Sequence, residues 1–189
     1  MAERCNVAFG LYLRMLRERC AFSLEEVATM SRSLADPVDK SCLSRAENGH
    51  HGLGFSKAIT LSRVYGVPTE VLAERLELDN ELERIGGPET EGLSFEKLQK
   101  RGIAELSRGA FWESYANFRD AVHLARHAAP RADFRDATEQ FLYACMNIST
   151  AAARLGRSRL ALHELEYVRS LDHLSAAREP FLLGALSWR

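Results

Sequence analysis

The sequence of 189 residues lacks the features that mark membrane and secreted proteins. No apolar run approaches the roughly 18 residues that a membrane-spanning helix needs. Residues 1–6 lack the apolar core of a secretory signal. The cysteines are few and scattered, without metal-ligand or redox spacing: they are Cys5, Cys20, Cys42 and Cys145. These absences predict a cytoplasmic protein with reduced thiols and no membrane contact.

Motifs of catalysis and metal binding are also missing. The chain has no glycine-rich phosphate loop and no Gly-x-Ser-x-Gly elbow. His50 and His51 are adjacent, but no nearby residue adds a third ligand at a standard metal spacing. His163 lies beside Glu164 and Glu166 with no nucleophile within motif range. We therefore expect no catalytic residue, no metal site and no cofactor, and we predict that the protein is not an enzyme.

The charge of the chain is close to balanced in both halves. Residues 1–76 carry ten lysines and arginines against nine acids, a net charge of +1, and residues 77–189 carry fifteen against seventeen, a net of −2. Phosphate contacts supply most of a protein's non-specific affinity for DNA. A DNA-binding function would therefore require that the few cations face one way and that dimerisation doubles the contacts.

The N-terminal part shows the pattern of several short helices. Apolar residues at helical spacing predict a first helix over residues 6–20, and Ser23 with Glu26 three positions later forms a capping box that begins a second helix, ending near Met30. Pro37 disfavours helix before it, so a third helix is expected to begin after the capping residue Asp39. Two further helices are expected over residues 56–65 and 69–76.

The third helix has two different faces. Lys40, Ser41, Ser44 and Arg45 share its outward face, while Leu43 and Ala46 point inward, and Gly49 ends it. A short helix with a donor-rich outer face suits insertion into the major groove of DNA. Together with the capped helix before it, it makes a helix-turn-helix.

The whole segment resembles the DNA-binding domain of the Cro and phage-repressor family, often called Xre. The residues that carry the resemblance are Phe9, Leu13, Leu16, Phe22, the pair Arg17 and Glu47, the run Glu47-Asn48-Gly49, Ile59, Tyr65-Gly66-Val67 and Leu72. The resemblance implies an all-α, five-helix domain over residues 6–76 that binds double-stranded DNA as a homodimer on a pseudo-palindromic site. We expect the DNA contacts to come from Ser23, Lys40, Ser41, Ser44, Arg45 and Asn48, and we expect Arg17 and Glu47 to form a buried ion pair.

Two departures from the family pattern affect docking. Ala28 and Leu43 are fifteen positions apart (43 − 28), where the helix-turn-helix of the family usually has about ten. The turn within residues 31–38 therefore holds extra residues. Leu24 also replaces the glutamine that often follows the capping serine and contacts a phosphate.

An acidic segment over residues 77–92 is expected to separate two domains. This segment contains six acidic residues and a single basic one, Arg84. Its run Gly86-Gly87-Pro88 is a helix stop. The residues before this stop are expected either to form a linker or to extend helix five into a short stalk that serves as a dimer seam.

Residues 93–189 are predicted to be helical throughout. Gly102, Gly109, Phe111, Phe118 and Ala121 have the spacing of a tetratricopeptide repeat, which this segment resembles, and a second match centres on Gly156. The two marker glycines are 47 residues apart (156 − 109), longer than the 34 of that family, so a generic helical-hairpin bundle is the alternative. The apolar segment over residues 181–188 is interpreted as the first helix of a further, incomplete repeat or as a surface that packs on another chain.

Two functions follow from this organisation. The first is a sequence-specific DNA-binding transcriptional regulator whose helical repeats serve for sensing or oligomerisation, with a peptide or protein partner on the repeats. The alternative is a protein–protein adaptor whose helix-turn-helix no longer binds DNA. The near-neutral charge, the enlarged turn and Leu24 favour the adaptor, and the polar face of the third helix favours the regulator.

Overall fold

The computed structural model describes residues 7–50, 52–128 and 134–172, and all the regular structure within these ranges is helical. The described helices, numbered in chain order, are α1 (Val7–Arg19), α2 (Leu24–Ser31), α3 (Lys40–Glu47), α4 (Phe55–Tyr65), α5 (Thr69–Ile85), α6 (Phe95–Ser107), α7 (Phe111–Ala128), α8 (Phe134–Arg154) and α9 (Ser158–Asp172). The all-α prediction is confirmed. No helix in these ranges is both long and apolar enough to cross a bilayer.

The chain divides into two compact units between Glu83 and Arg84, inside the acidic segment. In the first unit, α3 packs against α1 and α2, and α2 also packs against α4. Leu13, Leu16 and Leu43 are fully buried in its core. The predicted second helix begins as expected, because Ser23 and Glu26 complete the capping box in both directions.

Helices α1 and α3 approach each other at Gly10. A Cβ atom added to this glycine would lie only 2.3 Å from the backbone oxygen of Ala46. A side chain of any size would push the two helices apart, so the absence of one permits their contact. The position of α3 relative to α1 is therefore set by backbone contact.

The enlarged turn between α2 and α3 occupies residues 32–39 and is held by polar contacts. The hydroxyl of Ser31 is fully buried, accepts a hydrogen bond from the amide of Val38 at 3.0 Å and lies 2.9 Å from the carbonyl of Ala28. From α4, the Thr60 hydroxyl donates to the backbone oxygen of Asp36 at 2.9 Å. The Nζ atom of Lys57 lies 3.3 Å from the carboxylate of Asp36 and 2.9 Å from the oxygen of Pro37. The turn is thus held by hydrogen bonds to α2 and to α4.

Helix α5 extends into the acidic segment, which is one of the two alternatives that the sequence left open. The end near Leu76 is wrong, because the helix continues to Ile85, directly before the glycine stop. Leu78 and Leu82, one turn apart, are buried, and Arg75 binds the buried carboxylate of Asp79 at 2.6 Å. The apolar stalk residues Leu78 and Leu82 are therefore covered within a single chain.

Tyr12 of α1 contacts the buried Arg75 of α5. The guanidinium carbon of Arg75 lies 4.7 Å from the centre of the Tyr12 ring. This cation–π contact joins α1 to α5 and offsets part of the cost of burying the arginine.

In the second unit, α7 packs against α6 and α8, and α8 against α9. Gly102 lies against the ring of Phe118, which a Cβ atom on the glycine would meet at 2.5 Å, and the hydroxyl of Ser114 donates to the Gly102 oxygen at 2.9 Å. The connections α6–α7 and α8–α9 contain Gly109 and Gly156, with φ angles of +79° and +78°. Both glycines therefore adopt the left-handed conformation that commonly ends a helix.

The end of the acidic segment is attached to this second unit. Thr90 makes a short hydrogen bond to the carboxylate of Asp120, and Arg101 donates to the backbone oxygen of Glu89 at 3.1 Å. The apolar segment over residues 181–188 and His51 lie outside the described residues.

Candidate nucleic-acid interface

Local interactions define both ends of α3. The carboxylate of Asp39 accepts a hydrogen bond from the amide of Cys42 at 2.7 Å, and this bond lowers the pKa of Asp39. At the other end, Gly49 has a φ angle of +69°, and the amide of His50 donates to the oxygen of Arg45 at 2.8 Å. The helix therefore begins and ends as the sequence predicted.

The outer face of α3 is polar and accessible. Lys40, Ser41 and Arg45 are exposed, and Ser44 is partly exposed, while Leu43 on the opposite face is fully buried. Within the described part of the chain, the Arg45 guanidinium has no hydrogen-bond or ion-pair partner. Its donors are available to a ligand.

Lys40 has an intramolecular partner. Its Nζ atom lies 3.4 Å from the carboxylate of Glu25, and both side chains are 62% exposed. Exposed ion pairs of this kind contribute about 0–1 kcal/mol, so the contact is easily exchanged for a phosphate. Glu25 and Glu26 nevertheless place negative charge in the first turn of α2, beside α3.

The other two predicted DNA contacts are engaged within the domain. The Ser23 hydroxyl accepts from the amide of Glu26 at 3.2 Å as the cap of α2. The side-chain amide of Asn48 donates to the oxygen of Ser44 at 2.7 Å, and its carbonyl accepts from Nη2 of Arg14 at 2.9 Å. Ser23 therefore has a structural role at the start of α2, and Asn48 has one at the end of α3.

Arg17 and Glu47 form a bidentate ion pair. Nε and Nη2 of Arg17 donate to the two carboxylate oxygens of Glu47 at 2.7 and 2.8 Å, and Nη1 donates to the oxygen of Phe22 at 2.9 Å. The Glu47 side chain is 1% exposed and that of Arg17 is 13% exposed. The hydrogen bonds to Glu47 raise the pKa of Arg17. The pair joins α1 to the last turn of α3.

Comparison with protein families bears on this arrangement. Residues 8–76 match the model of a family described as a helix-turn-helix domain. This segment is a helix-turn-helix domain. Neither a curated protein nor a solved structure matches the chain significantly.

The matched range contains α2, the enlarged turn and α3. In this order α3 is the second helix of the motif, the position that the recognition helix has in DNA-binding helix-turn-helix proteins. The domain indicates a DNA-binding regulator. Its matched range covers the two helices, the turn and the ion pair that holds them.

Sequence reasoning missed the side chains that order the turn. Ser31, Lys57 and Thr60 hold it through contacts that span 7, 20 and 24 residues of sequence. No local pattern marks these residues, because each acts on a segment that the fold alone brings close. Arg14, whose Nε lies 3.5 Å from the Glu47 carboxylate, is likewise absent from the predicted site residues.

Proposed function

We propose that this protein is a sequence-specific transcriptional regulator of the Xre type, which binds double-stranded DNA as a homodimer. The observation that carries the proposal is the exposed polar face of α3, where the Arg45 side chain is exposed and makes no hydrogen bond or ion pair among the described residues. An α-helix with its side chains is about 10–12 Å across, and the major groove, about 12 Å wide, admits it.

Each residue of the face has a defined role in this proposal. Arg45 reads a guanine edge or contacts a phosphate, because its planar fork matches the O6 and N7 acceptors of guanine. Lys40 exchanges its ion pair with Glu25 for a contact with a phosphate. Ser41 and Ser44 contact bases or the DNA backbone in the same groove. Dimerisation on a pseudo-palindrome doubles these contacts, which the small net charge of the domain makes necessary.

The second unit serves for sensing or oligomerisation through tetratricopeptide-like hairpins, with a peptide or protein partner. Support comes from the close approach of Gly102 to Phe118 and from the two equivalent glycine turns at Gly109 and Gly156. Small residues between paired helices and glycine-ended connections are features of helical hairpins. The proposal assigns the chain no catalytic activity and no cofactor.

Binding to duplex DNA tests the proposal. We expect the full chain to bind random duplex at low salt and to weaken steeply as the salt concentration rises. Selection from a random pool should return a pseudo-palindromic sequence, and Arg45→Ala should lose about 1–3 kcal/mol of affinity for it if Arg45 reads a base. Arg108→Gln, an equal charge change at an exposed site on the second unit, is the matched control.

A protein–protein adaptor is the alternative function. It is favoured by the acids in the first turn of α2, where related domains approach a phosphate, and by the pairing of Lys40 with Glu25. An adaptor predicts no binding to random or selected duplex even at low salt. Absence of any salt-dependent binding by the folded chain would therefore reject the regulator and favour the adaptor.

A further inference from the structure

Two arginines face the single buried carboxylate at the end of α3. Arg17 binds both oxygens of Glu47 at 2.7 and 2.8 Å, whereas Nε of Arg14 lies 3.5 Å from one of them. The pair with Arg17 already satisfies the charge of Glu47, so the positive charge of Arg14 is not matched by a carboxylate of its own. The Arg14 side chain is 33% exposed, and the hydrogen bond between its Nη2 and Asn48 lies at the surface.

Asn48 fixes the direction of this second arginine. Its carbonyl oxygen accepts from Nη2 of Arg14 at 2.9 Å, while its amide nitrogen donates to the backbone oxygen of Ser44 at 2.7 Å. Asn48 is thus a bridge between the last turn of α3 and the Arg14 side chain. The Nη1 atom of Arg14 has no hydrogen-bond partner among the described residues.

This placement puts Arg14 beside the recognition face. Positions 41, 44, 45 and 48 recur at helical spacing on one side of α3, and Asn48 is the last of them. The backbone contact at Gly10 holds α1, and with it Arg14, at a fixed position against the C-terminal end of α3. Arg14 therefore lies at one end of the recognition helix and Lys40 at the other.

We propose that Arg14 contacts a phosphate of the DNA backbone at the C-terminal end of the recognition helix, and that Asn48 is a positioning residue that acts through Arg14. The inference depends on the proposed DNA-binding function and adds a residue from α1 to the interface. A guanidinium that is already oriented loses less freedom when it binds a phosphate than a free side chain does. Cations at both ends of a helix in the major groove can reach the two backbones that flank the groove.

The salt dependence of binding distinguishes a phosphate contact from a structural role. The slope of log K against log salt is negative, and each lost phosphate contact should reduce its magnitude by about 0.9 per protomer. For Arg14→Gln in the full chain we expect this decrease, with affinity reduced about tenfold on selected and random duplex alike, as for a lost charged hydrogen bond. Arg108→Gln should leave both quantities unchanged, and thermal unfolding checks that each variant is folded.

Arg14→Lys separates charge from geometry. Lysine keeps the charge without the planar fork, so the salt slope should be retained while the affinity falls. If Arg14→Lys reduces the magnitude of the salt slope as much as Arg14→Gln does, the assignment of Arg14 is overturned. An unchanged slope and affinity in Arg14→Gln would overturn it as well. If the wild-type chain itself fails to bind any duplex, the proposed function fails together with this inference. If the wild type binds and Arg14→Gln binds equally well, only this inference fails.

A double-mutant cycle tests the role of Asn48. If Asn48 acts through Arg14, Asn48→Ala should weaken DNA binding in the wild-type background and have no further effect in the Arg14→Gln background. An equal loss in both backgrounds would show that Asn48 contacts DNA independently, and it would reject the positioning role.

Discussion

The ion pair between Arg17 and Glu47 predicts a large and asymmetric loss of stability. Arg17→Met would leave the Glu47 carboxylate, 1% exposed, with only the distant Nε of Arg14 at 3.5 Å. Breaking a buried pair by removing one partner costs roughly 3–5 kcal/mol. Glu47→Gln should cost less, because Arg17 is more exposed and keeps its hydrogen bond to the oxygen of Phe22.

The coupling between the two substitutions measures the pair itself. We expect about 2–3 kcal/mol, since two charged hydrogen bonds at 2.7 and 2.8 Å are lost. Hydrogen exchange of the Leu16 and Leu43 amides in the full chain reports the opening free energy of this unit alone. Leu43 lies on α3 and Leu16 on α1, so both helices joined by the pair are observed.

The chain contains a matched control for this cycle. Glu18 lies 3.7 Å from the same arginine, but its side chain is 46% exposed, so Glu18→Gln should change stability by less than about 1 kcal/mol. A coupling between Arg17→Met and Glu47→Gln below about 0.5 kcal/mol would refute the reasoning, because it would show that burial and geometry do not make the two residues act as a unit.

Three further predictions concern the same domain. Gly10→Ala should destabilise it by about 1–3 kcal/mol, measured by the same amide exchange, because the new methyl would overlap the Ala46 oxygen; an unchanged value would mean that α1 and α3 separate without cost. Ala21 has a φ angle of +57°, so Ala21→Gly should stabilise the domain by up to about 1 kcal/mol by removing left-handed strain, and a loss of stability would contradict this. Hydrogen bonds at the helix caps lower the pKa values of Asp39 and Glu26, so their stabilising effect is present at neutral pH and is lost as the pH falls below their ordinary values of 3.8 and 4.5. The difference in stability between the wild type and Asp39→Asn should therefore shrink in acid, and a constant difference would argue against a charged cap.

Features that depend on neighbours in sequence could be predicted. Ser23 and Glu26 lie three positions apart, and Asp39 caps the helix that follows it directly, so the pattern alone places the starts of α2 and α3. Gly49 and Gly109 mark helix ends for the same reason, because the left-handed conformation is a local property of glycine.

Features that depend on the fold could not be predicted in this way. The sequence could not decide between a linker and an extended α5, because an acidic run is compatible with both. Burial of Leu78 and Leu82 and the Arg75–Asp79 pair favour the longer helix. Asn48 has the position of a DNA contact on α3, but its carbonyl partner, Arg14, is 34 residues away in sequence. A sequence pattern shows that a residue is polar and faces outward, and the partner that it meets depends on tertiary structure.

The way the enlarged turn is held suggests a use for it in protein engineering. The Ser31 hydroxyl and the Val38 amide close the loop at its base, the Leu34 amide donates to the Ser31 oxygen at 2.9 Å, and α4 holds Asp36. Ala35 is exposed between these two held positions. The entropic cost of lengthening a closed loop grows only with the logarithm of its length. A short peptide or label inserted at Ala35 should therefore leave the position of α3 unchanged, which makes this position a suitable attachment site for a probe.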